Sequence, residues 1–189
     1  MAGDADAITI RAATPADASA IGRVHVESWR ETYRGVPPDR LLHSVSALVR
    51  AAISQGAPER EPPMLLLVAE GAAGELVGFS AGGPCRATSL PHDAEVYAIC
   101  VLRAAQQRGC GRRLMAALAA GLQARGFSST SLWVLRENTN ARAFYERLGG
   151  QIVGERTEVD GEASFDEIAY GWARLESLYA AMIDLKDEQ

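Results

Sequence analysis

Hydrophobic and polar positions along this 189-residue chain change period several times, and each change marks an element. AITIRAA (7–13) alternates as a strand does. Thr14-Pro15-Ala16-Asp17 then has the chemistry of a helix start: a hydroxyl N-cap, proline at the first helical position and an acid near the positive end. That helix is expected to run to about Tyr33, because Gly35-Val36-Pro37-Pro38 stops it. Leu41, Leu42, Val45, Leu48 and Val49 predict a second helix over 39–53, and APEREPP (57–63) reads as a loop. MLLLVAE (64–70) and ELVGFSAGG (75–83) are strand-like, with the short GAAG between them predicting a hairpin. EVYAICVL (95–102) is apolar enough to predict a strand buried on both faces. A helix follows over 109–125, with Leu114, Leu118 and Leu122 on one stripe. TSLWVL (130–135) predicts a strand and NTNARAFYERLGG (138–150) a helix closed by glycine. QIVGERTEV (151–159) and SFDEIAYGW (164–172) predict a last antiparallel pair, and ESLYAAMIDLKDEQ (176–189) a short terminal helix. This order predicts a single α/β or α+β domain around a mixed sheet.

A chain of this length supports one domain with a well-buried core and is short for two. Its 48% hydrophobic and 23% charged residues match an ordinary soluble globular protein. Cys85, Cys100 and Cys110 are odd in number, unclustered and without metal-ligand spacing, so they point to neither a disulfide framework nor a metal site. The opening MAGDADAITIRAA lacks the basic-then-apolar pattern of a secretory signal. No run reaches the ~18 apolar residues that span a bilayer. The expectation is a soluble protein of a reducing, cytoplasmic compartment.

The net charge of −5 argues against a nucleic-acid partner. The charge is distributed unevenly, however. No acidic residue lies between Glu95 and Glu137, a stretch of 41 positions that holds six arginines, at 103, 108, 112, 113, 125 and 136. Three of them, Arg108, Arg112 and Arg113, fall in QQRGCGRRLM (106–115), the lead-in of a predicted helix. The N–H groups of a first helical turn already carry partial positive charge, so cations are unwelcome there. A bound anion removes the conflict. A solvated helix face is the other explanation, and charge alone does not separate the two.

Strand, glycine turn and helix together present backbone N–H groups to phosphate oxygens. A Walker loop requires Lys-Ser/Thr after its last glycine, where this chain has Arg112-Arg113. A dinucleotide fingerprint requires G-x-G-x-x-G at the first strand–helix turn. Here Gly109-Cys110-Gly111 lies mid-chain, with Leu114 at the third glycine position and no acid ~20 residues on. QQRGCG (106–111) instead resembles the Q/R-x-x-G-x-G/A loop of the GNAT acyltransferase superfamily. NTNARAFYERLG (138–149) resembles that family's N-x-x-A-x-x-F-Y-x-x-x-G helix at every fixed position. The order of elements, the spacing between the motifs, Trp29 and Tyr33 on the first helix, and the final strand pair are similar too, over about residues 8–173. Two positions depart from the family pattern: Arg103 stands where proline is usual, and Gly150 where an aromatic is usual. Neither touches the phosphate contacts, so altered loop rigidity and packing are expected, with binding kept.

The resemblance implies a GNAT fold, α/β (α+β), with a mixed, mostly antiparallel sheet of about seven strands flanked by about four helices and splayed to form an acyl-CoA cleft. It implies one domain over 1–189, with a core over about 8–173 and a tail over 174–189 that is expected to be helical. It further implies acetyl-CoA as cosubstrate, no metal, and transfer of an acetyl group to a primary amine of a small molecule, peptide or protein by direct attack in a ternary complex. The pantetheine arm would pair with the backbone near Ile99 and Val101. Gln106, Gln107, Arg108, Gly109, Cys110, Gly111 and Arg112 would hold the pyrophosphate, with Asn138 a further cofactor contact; glycine at 109 and 111 permits close backbone approach.

Transfer to an amine needs three groups. The amine must lose its proton, because an ammonium of pKa ~10.4 has no free lone pair. The oxyanion needs a donor, and the departing thiolate gains from a proton source. By resemblance the Val101 N–H is the donor and Tyr145 the general acid, with packing beside Phe144 the plain alternative for Tyr145. Glu95, the last carboxylate before the basic segment, is the candidate base through water, against a plain surface glutamate. His92 and Asp93 stand by in the same loop, and Trp133 occupies the place where some relatives carry a glutamate. Trp29 and Tyr33, four apart on one helix face, would line the acceptor pocket or pack into the core. Cys110 and His25 read as structural. The family commonly dimerises, so a homodimer is expected; neither a nucleic acid nor a membrane is an expected partner. The competing reading is a catalytically silent acyl-CoA-binding sensor or regulatory module.

Overall fold

The structure, a computed structural model, describes residues 8–32, 64–160 and 163–178. The helix expected over 39–53, most of the expected terminal helix, and Tyr33 lie outside the described residues. The chain forms β1 (Thr9–Ala12), α1 (Ala18–Thr32), β2 (Leu65–Glu70), β3 (Leu76–Pro84) and β4 (Ala94–Val101). It continues with α2 (Cys110–Gln123), β5 (Thr130–Leu135), α3 (Thr139–Arg147), β6 (Gln151–Asp160) and β7 (Ala163–Trp172). The seven strands are ordered β1-β2-β3-β4-β5-β7-β6. β1 with β2, β2 with β3, β5 with β7 and β6 with β7 pair antiparallel, whereas β4 and β5 pair parallel through Ala94–Thr130 and Glu95–Ser131. This is the mixed, mostly antiparallel sheet that the family resemblance implied. Residues group into two compact units, Met1–Gly82 with Ala98–Leu118 and Gly83–Tyr97 with Ala119–Gln189, so β4 contributes to both.

In the first unit the entry to α1 is held by charge. Pro15–Asp17 form a 3-10 turn ahead of the helix. Arg11 of β1 donates to both Asp17 oxygens at 2.8 and 2.9 Å and to Glu70 of β2 at 2.7 Å. The Thr14 N–H and hydroxyl donate to the same Asp17. The Arg11 guanidinium, against an opposing contribution from burial, holds the Asp17 carboxyl well below the usual carboxylate range. Ile21, Val24, His25 and Ser28 form the buried stripe of α1 at helical spacing. GAAG makes the expected hairpin turn, with Gly71 N–H on the Glu75 carbonyl and Gly74 at φ +83°. A Cβ at Gly78 of β3 would stand 2.9 Å from the Cys100 carbonyl, so glycine there lets β3 and β4 approach closely. Leu114, Met115 and Leu118 of α2 complete this core.

The sequence reading of β4 as buried on both faces is corrected: Ala94, Glu95 and Val96 are buried, and the next five residues are half-buried. An apolar run records that water is disfavoured along a strand; it does not record that protein covers both faces. In the second unit β5, β7 and β6 follow one another in register, with a bulge in β6 between Ile152 and Gly154. Asp93, just before β4, accepts four hydrogen bonds at 2.7–2.8 Å from the N–H and hydroxyl groups of Ser128 and Ser129, which fixes the approach to β5.

His25 is buried edge-on to Phe79, and burial lowers its pKa below the usual imidazole value; His92 is lowered for the same reason. The fold therefore favours neutral imidazole, and that part of its stability is present above pH ~6.5 and lost as pH falls. Between pH 7 and pH 5 the Tm should decline, and His25→Gln, which cannot titrate, should show a shallower decline than the native chain. Thermal melts across that window check this.

Candidate active site

Between β4 and α2 the chain makes a 3-10 turn, Arg103–Ala105, and then a loop of unusual backbone. Gln107 has φ +59° and Gly109 φ +76°, both left-handed. Glycine tolerates this; a non-glycine residue in that region costs about 1–3 kcal/mol and persists only where its surroundings impose it. The surroundings are identifiable. The Gln106 side chain donates to the Val101 carbonyl at 2.9 Å, the Arg103 N–H donates to Glu31 of α1 at 2.8 Å, and Arg113 donates to the Ile8 carbonyl at 3.0 Å. The helix ladder starts with Arg113 N–H on the Gly109 carbonyl. The N–H groups ahead of it belong to a first turn that has no preceding helical carbonyl to bond. No acidic residue sits in that turn.

Of the three arginines that the sequence groups here, Arg113 is thus bonded to Ile8, the residue just ahead of β1, and Arg108 and Arg112 flank the Gly109–Gly111 segment. A Cβ on Gly109 would find only the Arg112 guanidinium, at 3.8 Å, so this position needs glycine for its backbone angle and for approach from outside. Cys110 is buried, and burial pushes its thiol up to about 11, which makes it a packing residue with an available backbone. Ile99 and Val101 lie on the half-buried part of β4. Trp29 is half-buried on α1.

The remaining candidates belong to the second unit. Glu95 is buried, 4% exposed, and is neither a surface glutamate nor unpartnered. Arg86 donates to its Oε1 through a guanidinium NH2 at 2.6 Å and to its Oε2 through Nε at 3.2 Å and the backbone N–H at 2.9 Å. Sequence reasoning missed Arg86; it lies in a loop with no motif, and only the fold brings it to Glu95. Asp93 differs: four donors fill its oxygens, and although burial alone would raise the carboxyl, those bonds hold it at about 2. The His92 ring packs against Gly171 of β7, where an added Cβ would stand 2.5 Å away.

Tyr145 is buried in α3 within an aromatic cluster: its ring centroid is 5.4 Å from Phe144, 5.9 Å from Tyr170 and 6.3 Å from Trp172. The Trp172 indole N–H donates to the Leu148 carbonyl at 2.8 Å, and Tyr170 donates to Glu146. α3 is thereby tied to β7 at both ends of the cluster. Asn138 is the N-cap of α3, its side-chain oxygen accepting from Ala141 N–H at 3.1 Å, which is a structural use of a residue assigned by resemblance to the cofactor.

A seven-stranded mixed sheet with a glycine loop opening a helix after β4 defines an α/β acyltransferase architecture, and comparison with known proteins makes the class specific. The family described as "Acetyltransferase (GNAT) family" matches residues 24–150. The N-acetyltransferase YuaI of Bacillus subtilis is 32% identical over 173 residues, 90% of this chain and 96% of that protein. A GNAT-family acetyltransferase from Desulfovibrio desulfuricans shares the fold with a TM-score of 0.69 at 23% identity, covering 89% of this chain and 99% of that one. YncA of Salmonella typhimurium, solved with its cofactor acetyl-CoA, gives 0.62 at 21% identity, covering 89% and 94%. The chain belongs to the GNAT acetyltransferase family.

Gly109→Ala introduces no clash, so it isolates the backbone requirement. It should lower stability by about 1–2 kcal/mol through the left-handed conformation alone. Denaturant unfolding measures this, and an unchanged midpoint would mean that the loop is not held in the left-handed form.

Proposed function

We propose that this enzyme transfers the acetyl group of acetyl-CoA to a primary amine by direct attack while both substrates are bound. The observation that carries the reading is the entrance to α2. Left-handed backbone at Gln107 and Gly109 and an acid-free first turn at the start of a helix suit the capture of a pyrophosphate by backbone N–H groups. The half-buried stretch of β4 at Ile99 and Val101 offers backbone groups for the pantetheine arm. The three cysteines are free thiols, which suits a reducing cytoplasmic compartment. Among the described residues no helix is long and apolar enough to cross a membrane.

In the reaction so proposed, the amine nitrogen attacks the thioester carbon and the Val101 N–H stabilises the oxyanion. The C–S bond then breaks, Tyr145 gives the leaving thiolate a proton, and the nitrogen sheds its surplus proton, which restores the tyrosine. Glu95 accepts the ammonium proton through a water before attack. Acceptor capacity supports Glu95 over Asp93. A carboxylate offers about four acceptor sites; among the described residues Asp93 has four donors on it and Glu95 three, so Glu95 keeps the greater capacity. Trp29 and Tyr33 are proposed to border the amine site.

Thiol release from acetyl-CoA with spermidine, tyramine, L-lysine and an alanine-ended peptide tests this. Turnover with at least one amine is expected. Tyr145→Phe keeps the ring in its cluster and should lower kcat ~10²-fold through loss of the general acid, with the KM for acetyl-CoA little changed. An unchanged kcat would leave Tyr145 a packing residue. Micromolar acetyl-CoA binding with no turnover on any amine would overturn the transferase reading.

A further inference from the structure

The segment after β3 is stitched to the start of β4 at three successive points. Cys85 N–H donates to the Asp93 carbonyl at 2.9 Å, Arg86 holds Glu95, and the Tyr97 hydroxyl donates to the Pro84 carbonyl at 2.6 Å. The Arg86 guanidinium also lies over the Tyr97 ring, 4.0 Å from its centroid. Residues 95 and 97 share a face of the strand, so the guanidinium is clamped between a carboxylate edge and an aromatic face. Burial pushes the Tyr97 hydroxyl up to about 12, so it stays a neutral donor.

Glu95 is buried but the Arg86 side chain is 55% exposed, and an ion pair open to water on one side gives little net stability. Its presence at this one carboxylate therefore calls for another reason. A general base must hold an acceptor lone pair in line with the proton that it takes. Two guanidinium bonds and one backbone bond fix the plane of the carboxylate, a geometry that Arg supplies and Lys cannot match.

We propose that Arg86 is a positioning residue for acetyl transfer: it fixes the plane of the Glu95 carboxylate and orients its remaining acceptor site toward the proton of the incoming amine. This rests on Glu95 acting as the base. Arg86 does not itself touch the reacting atoms.

The test uses the full-length enzyme with acetyl-CoA and the fastest amine of the four-amine panel. Arg86→Gln should lower kcat 10- to 100-fold while the KM for acetyl-CoA changes less than about threefold. Arg86→Lys, which restores the charge without the fork, should recover part of kcat. Arg86→Gln combined with Glu95→Gln removes both charges and should be no slower than Glu95→Gln alone, because the two residues act as one unit. Melting curves establish that each variant is folded, and the double variant stays informative if Arg86→Gln alone is unstable. A kcat unchanged in folded Arg86→Gln, no recovery with lysine, or effects that multiply in the double variant would each overturn the positioning role. An unchanged kcat in Glu95→Gln, or silence of the whole panel, would instead remove the base, and the positioning role with it.

Discussion

The turn from β4 into α2 holds Gln107 and Gly109 in left-handed backbone, and the proposed chemistry depends on that conformation. Left to local preference, Gln107 would relax to a negative φ, and the N–H groups that begin the helix would no longer converge. Three bonds from outside the turn prevent this: the Gln106 amide to Val101, the Arg103 N–H to Glu31, and Arg113 to Ile8. Strand, first helix and second helix therefore cooperate to hold a loop that is unfavourable in isolation. Cations near the positive end of a helix add to the imbalance. In the proposed function the arrival of a polyanion would offset both terms, on a geometry that is already set.

The two departures from the family pattern have local explanations. Proline at position 103 would lack the N–H that donates to Glu31, so arginine there exchanges ring rigidity for a bond to α1. At position 150 an added Cβ would meet the Trp172 indole at 2.8 Å and the Tyr145 carbonyl at 2.9 Å. The aromatic that the family carries after the glycine is supplied in this chain from β7, and Gly150 makes room for it. The same indole anchors the end of α3 through Leu148, so the substitution keeps Tyr145 fixed by other means.

Periodicity located every described strand and helix within a few residues, because burying one face of a helix or strand leaves a repeat in the sequence. The 3-10 turn at Pro15–Asp17 and the half-open β4 were not legible. A 3-10 turn uses the same cap chemistry as an α-helix, and an apolar side chain is compatible with several kinds of neighbour. The left-handed turn at Gly109 was legible because a glycine between a strand and a helix marks a backbone angle that other residues avoid. Arg86 was not, because its partner is nine residues away across a loop whose path only the folded chain defines. Asn138 shows the reverse difficulty: one residue type serves a helix cap and a ligand contact equally, and its position in a motif does not separate them.

Charge counting grouped six arginines whose uses in the fold differ. Arg125 donates to the Gly121 carbonyl of its own helix, Arg136 pairs with Glu155 at 2.7 Å, and Arg113 is bound to Ile8. These three stabilise chain ends and strands, uses that any surface arginine can have. What distinguishes the remaining cluster, Arg103, Arg108 and Arg112, is the backbone between them. Under the proposed function a carboxylate near that turn would compete with a phosphate for the same N–H groups, and the 41 positions without acid are consistent with that. The selective feature of the segment is therefore the acid it lacks beside the loop, more than the number of arginines it carries.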